Sequence, residues 1–321
     1  MGLAAKGWII TKSTGLSPAL CRAPSAYEKQ YRQRSFVPLA LCATLSAFQA
    51  FPTDSMHPLL PSLAAAFLYF GAAGYQGLQL TRRNVPSKAL LALLGVVALF
   101  FHGGSLFMQM HHSVGLTLDF FNAASLIAYT VILLTLLASR RMPVENLLLF
   151  LFPLGGLTVL FAQFMPSGTT TPLEEGPGIL AHILLSLMAY GVLTIAMFQS
   201  LLLLMQDYQL KHKHPSGLIR NFPPLQTMES LLFGFLWGGW LLLSLALLSG
   251  AIFIDNLFTQ HLVHKTILSC FAWLVFAVLL WGRHQLGWRG HKAIRWTLAG
   301  FCLLMLAFFG SKLVREFILH V

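Results

Sequence analysis

The sequence predicts an all-α fold, a polytopic transmembrane helical bundle of about eight spans, and three observations carry that prediction. Of 321 residues, 56% are hydrophobic and only 10% charged, with a mean hydropathy of +0.71. Soluble domains carry roughly 25% charged residues because most of their surface meets water. Apolar runs recur at the length needed to cross a hydrocarbon core about 30 Å thick, about 20 residues rising 1.5 Å each. Finally, the links between these runs are basic at every second position.

The elements follow in chain order. Residues 1–55 are an N-terminal extension in which Lys6, Lys12, Arg22, Lys29, Arg32 and Arg34 precede an apolar stretch from Phe36 to Phe51. With Ala43, Ala47 and Ala50 in that stretch, the pattern is that of a signal peptide or signal anchor. Translation starting at Met56, directly before the first full span, is the alternative, and in either case the extension is expected to be dispensable to the fold. The bundle then occupies residues 56–321. Its spans are read near 59–80, 88–108, 119–138, 145–165, 178–205, 231–254, 265–282 and 293–313, each a run between charges.

Arg82, Arg83 and Lys88 follow the first span, and Arg140 and Arg141 the third. Lys211, Lys213 and Arg220 follow the fifth, and Arg283, Arg289, Lys292 and Arg295 the seventh. The opposite links carry Asp119, Glu174, Glu175 and Asp255, with Lys265 their one basic residue. Cytoplasmic loops are enriched in Lys and Arg, so both ends of the bundle are expected outside the cytoplasm.

This placement also disposes of nucleic acid as a partner. The net charge of +11 sits in short links and forms no stripe or tail; the expected partner of those charges is the lipid bilayer. Cys21, Cys42, Cys270 and Cys302 are scattered singly, with no dithiol pair and no motif for covalent haem attachment. No glycine-rich nucleotide loop, zinc-protease spacing or serine nucleophile motif occurs. The chain is therefore expected not to be an enzyme.

Twelve histidines in so apolar a chain are its main chemical oddity. The topology assigns His111, His112, His182, His261, His264 and His320 to the outer face, and His212, His214, His284 and His291 to the inner face. His102 falls inside the second span, where a neutral imidazole either ligates iron or bonds within the protein. His182, Ser186 and Tyr190 stand at i, i+4 and i+8 and so share one helix face. A polar stripe on a membrane helix is expected to point into the bundle or a cavity, so His182 either serves a site or hydrogen-bonds to neighbouring helices.

The run from His182 through Ser186 to Tyr190-Gly191 resembles the helix that opens the haem-handling domain of cytochrome c assembly proteins, the CcsA and CcmC group. Ala272-Trp273-Leu274-Val275-Phe276-Ala277, Gly287-Trp288-Arg289-Gly290, Ala299-Gly300-Phe301 and Phe308-Phe309-Gly310 resemble the last two helices of that family and their basic turn. Asp207-Tyr208-Gln209-Leu210-Lys211, with Pro223-Pro224-Leu225 and Met228-Glu229, is similar to the YpjD branch of bacterial inner-membrane proteins. The resemblance covers residues 56–321 and is strongest from Pro177 onward.

It implies a CcsA-like bundle in a bacterial inner membrane with its C-terminus periplasmic. It further implies that haem b is held at the periplasmic face in aid of cytochrome c biogenesis, with other cytochrome c assembly proteins as partners. By the same resemblance His182 and His320 correspond to the family's two outer histidines, an axial pair for haem iron. The family's tryptophan-rich segment has no counterpart between Asp255 and Lys265, where residues 256–264 read NLFTQHLVH. The haem platform is thus either absent or rebuilt around Phe258, His261 and His264. Trp281 also stands where the family carries an intramembrane histidine. The alternative role is that of a membrane partner or transport-linked accessory protein that keeps the fold without haem.

Overall fold

Among the described residues, eight helices alternate in direction, as the short links between apolar runs require. The computed structural model describes residues 58–82, 84–112, 115–116, 120–165, 176–212, 222–253 and 260–310, without the side chains of 111–112, 115–116 and 260–264. The helices are α1 Leu59–Thr81, α2 Lys88–Met110, α3 Phe120–Ser139, α4 Glu145–Phe164, α5 Pro177–Lys211, α6 Leu225–Phe253, α7 Gln260–Leu286 and α8 His291–Met305. A π-helical turn, Leu306–Gly310, continues α8. Two residue pairs in the α2–α3 link form a minimal antiparallel ladder, His111 opposite Leu116 and His112 opposite Gly115. It leaves the all-α class unchanged.

Seven of the helices are long and apolar enough to cross a membrane, and α1, with 23 residues, has the length but less apolarity. Its polar groups explain the difference. Ser62, Tyr69 and Gln76 are buried against the bundle, while Leu60, Phe67 and Leu78 face outward. The lipid-facing side is therefore as apolar as that of the other helices. Outward positions elsewhere are likewise apolar, among them Leu93, Leu157, Leu184, Leu248, Ile252 and Phe271. In water such a surface would be untenable; in hydrocarbon it costs nothing. The chain is a multi-pass membrane protein. Cys270 and Cys302 lie on this outward surface as free thiols.

Packing divides the bundle into two groups of four helices. In the first, α1 packs on α2 and α4, and α3 on both α2 and α4. In the second, α5 packs on α6, α6 on α7, α7 on α8 and α8 back on α5. α3 against α5, with a smaller contribution from α4, joins the groups.

One end of the bundle gathers the basic links. The three acidic residues described are there, and each is paired: Glu145 with Lys88 at 2.6 Å, Asp207 with Lys211 at 2.7 Å, and Glu229 with Arg283 at 2.8 Å. Arg82, Arg140, Arg141, Lys292 and Arg295 at the same end make no ion pair among the described residues, so the end stays strongly positive. The α7–α8 turn there is built on two glycines with positive φ, Gly287 at 63° and Gly290 at 55°. Trp288 folds back over Gly282, where any Cβ would meet the indole at 2.6 Å. Arg283 Nη1 donates to the Trp288 carbonyl at 3.2 Å, and its guanidinium lies 4.5 Å from the centre of the Phe233 ring. The Gly-Trp-Arg-Gly run thus has a conformational reason for each of its glycines.

Several spans are longer than their apolar runs, α5 and α6 among them. α5 runs to Lys211 and α6 starts at Leu225, giving 35 and 29 residues. Paired charges account for this: Asp207 and Glu229 sit inside helices because partners satisfy them, whereas the reading by apolar runs stops at the charge.

Candidate functional site

At the end opposite the basic belt, α5 opens with Pro177 at its first position after an extended Gly176. Proline suits that position, since its missing N–H would have no partner in any case. Gly178 lies under the Phe253 ring at the C-terminus of α6, so the two helices meet closely. One turn further in, His182 faces α6 and is half-buried.

Its ring is fixed through one nitrogen. His182 Nδ1 is 2.9 Å from the Ala246 carbonyl oxygen and 3.1 Å from Ser249 Oγ. A carbonyl only accepts, so Nδ1 carries the proton and donates. Ser249 Oγ in turn donates to the same carbonyl at 2.9 Å. Nε2 is left as the nitrogen with the lone pair, and Ser186 Oγ stands 3.5 Å from it, at the limit of a hydrogen bond. Gly250 makes room for the ring: a Cβ there would sit 2.9 Å from Cε1 and 3.2 Å from Nδ1. An imidazole with Nδ1–H given to a carbonyl and Nε2 open is the arrangement of metal-ligating histidines, where the bonded nitrogen sets tautomer, orientation and basicity.

The i+4 neighbour expected on this face, Ser186, is in place. Tyr190, two turns deeper, is buried and packs instead into an aromatic cluster, its ring centre 5.6 Å from Phe301, 6.0 Å from Phe308 and 6.2 Å from Phe309. His261 and His264 lie on the first turns of α7, whose N-terminus is at the same end of the bundle as His182; their side chains lie outside those described. His320 also lies outside the described residues. Among the described residues no group of three or more His, Cys, Asp or Glu side chains converges to hold a metal ion. His182 presents one nitrogen, Nε2, to a ligand or to a hydrogen-bond donor.

His102 occupies a different setting. It is completely buried in the first helical group, with Tyr69 Oη 3.1 Å from Nδ1 and Ser125 Oγ 2.9 Å from Nε2. Tyr69 and Tyr129 lie edge-on to the ring at 5.7 and 5.3 Å. Both nitrogens are engaged, so the ring as it stands offers none to a ligand. One turn further along α2, Ser62, Ser105, Gln109 and Gln163 bond to one another at 2.6 to 3.3 Å. Trp281 is 59% exposed on the lipid-facing side. The position that the resemblance matches to an intramembrane histidine therefore points away from the bundle here.

Several residues of the His182 site carry no sequence signal. Ala246 acts through its backbone, and Ser249-Gly250 is distinctive only as a small polar pair near the end of an apolar span.

The chain is similar to several known proteins. The model of the family described as Cytochrome C assembly protein matches residues 90–319. Inner membrane protein YpjD of Escherichia coli (strain K12) is 35% identical over 242 residues, 74% of this chain and 91% of that protein. Protein HemX of Brevibacillus brevis is 27% identical over 51% of this chain and 63% of its own length. Cytochrome c biogenesis protein CcsA of Chlamydomonas reinhardtii is 23% identical, over 48% and 43% respectively. No solved structure matches the chain.

Proposed function

The chain belongs to the cytochrome c assembly protein family, and from that premise we propose that it binds haem through His182 and assists cytochrome c biogenesis without being an enzyme. The observation that carries the reading is the anchored imidazole, with Nδ1 donating to the Ala246 carbonyl and Nε2 left open. Bound haem would supply an iron that accepts imidazole nitrogen. The protein's part is to hold that nitrogen still. Ala246 and Ser249 fix the ring, Gly250 leaves space for it, and half-burial limits competition from water.

His320, which the resemblance pairs with His182, is the proposed second ligand, with His261 and His264 as alternatives on the first turns of α7. The surplus of Lys and Arg at the far end supports placing that end in the cytoplasm. His182 and the C-terminus then face the periplasm of a bacterial inner membrane, the membrane named for the YpjD relative.

The test is the absorption spectrum of detergent-purified protein, oxidised and reduced, beside His182→Ala. A Soret band that shifts on reduction and collapses in the variant is the expected result. No band in the wild type after haem is supplied would remove the reading. A second reading, a partner or transport-linked accessory that keeps the fold without haem, is favoured by outward-facing Trp281 and by the absence of tryptophan in residues 256–264. Deletion of the gene separates the two: haem handling predicts loss of mature c-type cytochromes, and the second reading predicts a full set.

A further inference from the structure

A groove of about 370 Å³ opens at the basic end between α5 and the start of α8. It lies at the opposite end of α5 from His182, and the haem reading gives it no role. Leu201, Leu204, Met205 and Tyr208 form its wall, and Asp207, Lys211 and His291 stand at its mouth. Leu201, Met205 and Tyr208 recur at i, i+4 and i+7 and so form one stripe along α5. Leu201 is 39% and Tyr208 61% exposed, on a face where outward means lipid.

Depth and charge together indicate the occupant. The rise from Leu201 to Lys211 is about 15 Å at 1.5 Å per residue, half of the roughly 30 Å hydrocarbon thickness. An acyl chain lying along that stripe would thus place its headgroup beside Lys211. The volume, near the lower end of the roughly 300–1,000 Å³ typical of small-ligand pockets, suits a single chain better than a bulky ring system.

At the mouth, the Asp207 carboxylate is already held by Lys211 at 2.7 Å and by His291 Nε2 at 3.1 Å. The one acidic group is therefore occupied. On α8, Arg295 follows His291 at i+4 on the same face, and Lys292 is its neighbour. Both are exposed and make no ion pair among the described residues. The headgroup region thus has cations to spare.

We propose that this groove is a binding site for one anionic phospholipid of the leaflet at the basic end. One acyl chain packs along Leu201, Met205 and Tyr208, and the phosphate lies beside Lys211, Lys292 and Arg295. Polybasic segments at a membrane surface attract anionic lipids; the groove adds a fixed seat for the chain, which turns attraction into a defined stoichiometry.

The test is native mass spectrometry of the full chain in detergent micelles supplied with phosphatidylglycerol or phosphatidylcholine. The wild type is expected to retain one phosphatidylglycerol in preference to phosphatidylcholine. The double variant Lys292→Gln with Arg295→Gln leaves the Asp207 cluster intact and is expected to lower that retention roughly tenfold. Met205→Trp fills the groove with all charges in place and is expected to abolish retention; Leu204→Phe replaces it if the tryptophan variant is not monodisperse. Equal retention of the two lipids by the wild type, or undiminished retention in the groove-filled variant, would overturn the proposal. Neither result depends on whether haem binds at His182.

Discussion

Each group of four helices holds a histidine against polar neighbours, and the two groups use it in opposite ways. His102, in α1–α4, is fully buried and has both nitrogens bonded, to Tyr69 and Ser125. His182, in α5–α8, is half-buried with one nitrogen bonded firmly and the other facing a serine hydroxyl at 3.5 Å. On the proposed reading, depth in the membrane is the wrong guide to function in this molecule. The deeper histidine closes a network that ties three helices together; the shallower one keeps a nitrogen in reserve. An ionisable group inside a membrane commonly marks a site, but with both nitrogens bonded His102 is expected to serve as a structural element instead.

The largest expected effect tests the structural half of this contrast. His102→Ala leaves the Tyr69 and Ser125 hydroxyls without their partner in a closed site and opens a cavity among Tyr69, Tyr129 and Ser125. Cavity formation and the lost interhelical bonds together are expected to cost about 2–4 kcal/mol. The measurement is reversible unfolding in mixed micelles, with His182→Ala expected to lose less than about 1 kcal/mol. Haem absorbance, where present, should survive the first substitution and not the second. A His102→Ala protein that is stable but colourless would invert the assignment of the two histidines.

A smaller effect distinguishes the ion pairs of the two groups. Arg283 and Glu229 are mostly buried, at 24% and 12% exposure, and Arg283 also binds the Trp288 carbonyl and lies over Phe233. Glu229→Gln is expected to cost about 1–3 kcal/mol, because it leaves a largely desolvated guanidinium without its carboxylate. In the first group Lys88 is 70% and Glu145 16% exposed; Lys88→Ala removes the solvated partner and is expected to cost about 0.5–1 kcal/mol, less than Glu229→Gln. Equal losses in the same micelle assay would mean that solvent reaches both pairs alike.

The bundle was legible in the sequence because hydrocarbon demands long apolar runs and the links sort by charge. What charge hid was helix length. Asp207 and Glu229 end the apolar runs of α5 and α6, yet both remain helical because Lys211 and Arg283 satisfy them. α1 shows the converse limit: Ser62, Tyr69 and Gln76 lower its hydropathy, but all three turn inward. For the site, periodicity picked out His182 and Ser186, which share a face. It also put Tyr190 there, but the structure seats Tyr190 among Phe301, Phe308 and Phe309. No pattern reveals the anchor of His182, since a backbone carbonyl at Ala246 has no side-chain signature. Nor does a pattern distinguish His102 from a ligand, because its partners lie 33 and 23 residues away in sequence.

The finest test of the contrast leaves every ligand in place and disturbs only how His182 is held. Ser249→Ala removes one of the two groups near Nδ1 and keeps the Ala246 carbonyl, so haem affinity is expected to fall only a few-fold, at the low end of the roughly 10–100-fold seen when outer-shell partners are lost. Gly250→Ala acts by crowding: its Cβ would stand 2.9 Å from Cε1, so the ring must shift away from the carbonyl. The expected loss is larger than for Ser249→Ala, again with the fold intact, because the methyl faces a side chain that can move. Haem titration followed in the Soret region measures both. If His182 is merely a packing residue, neither change will alter haem binding, and Gly250→Ala will instead appear only as a loss of stability. Reduced affinity without reduced stability, in that order of size, would mean that the shallow histidine is held for the sake of its free nitrogen.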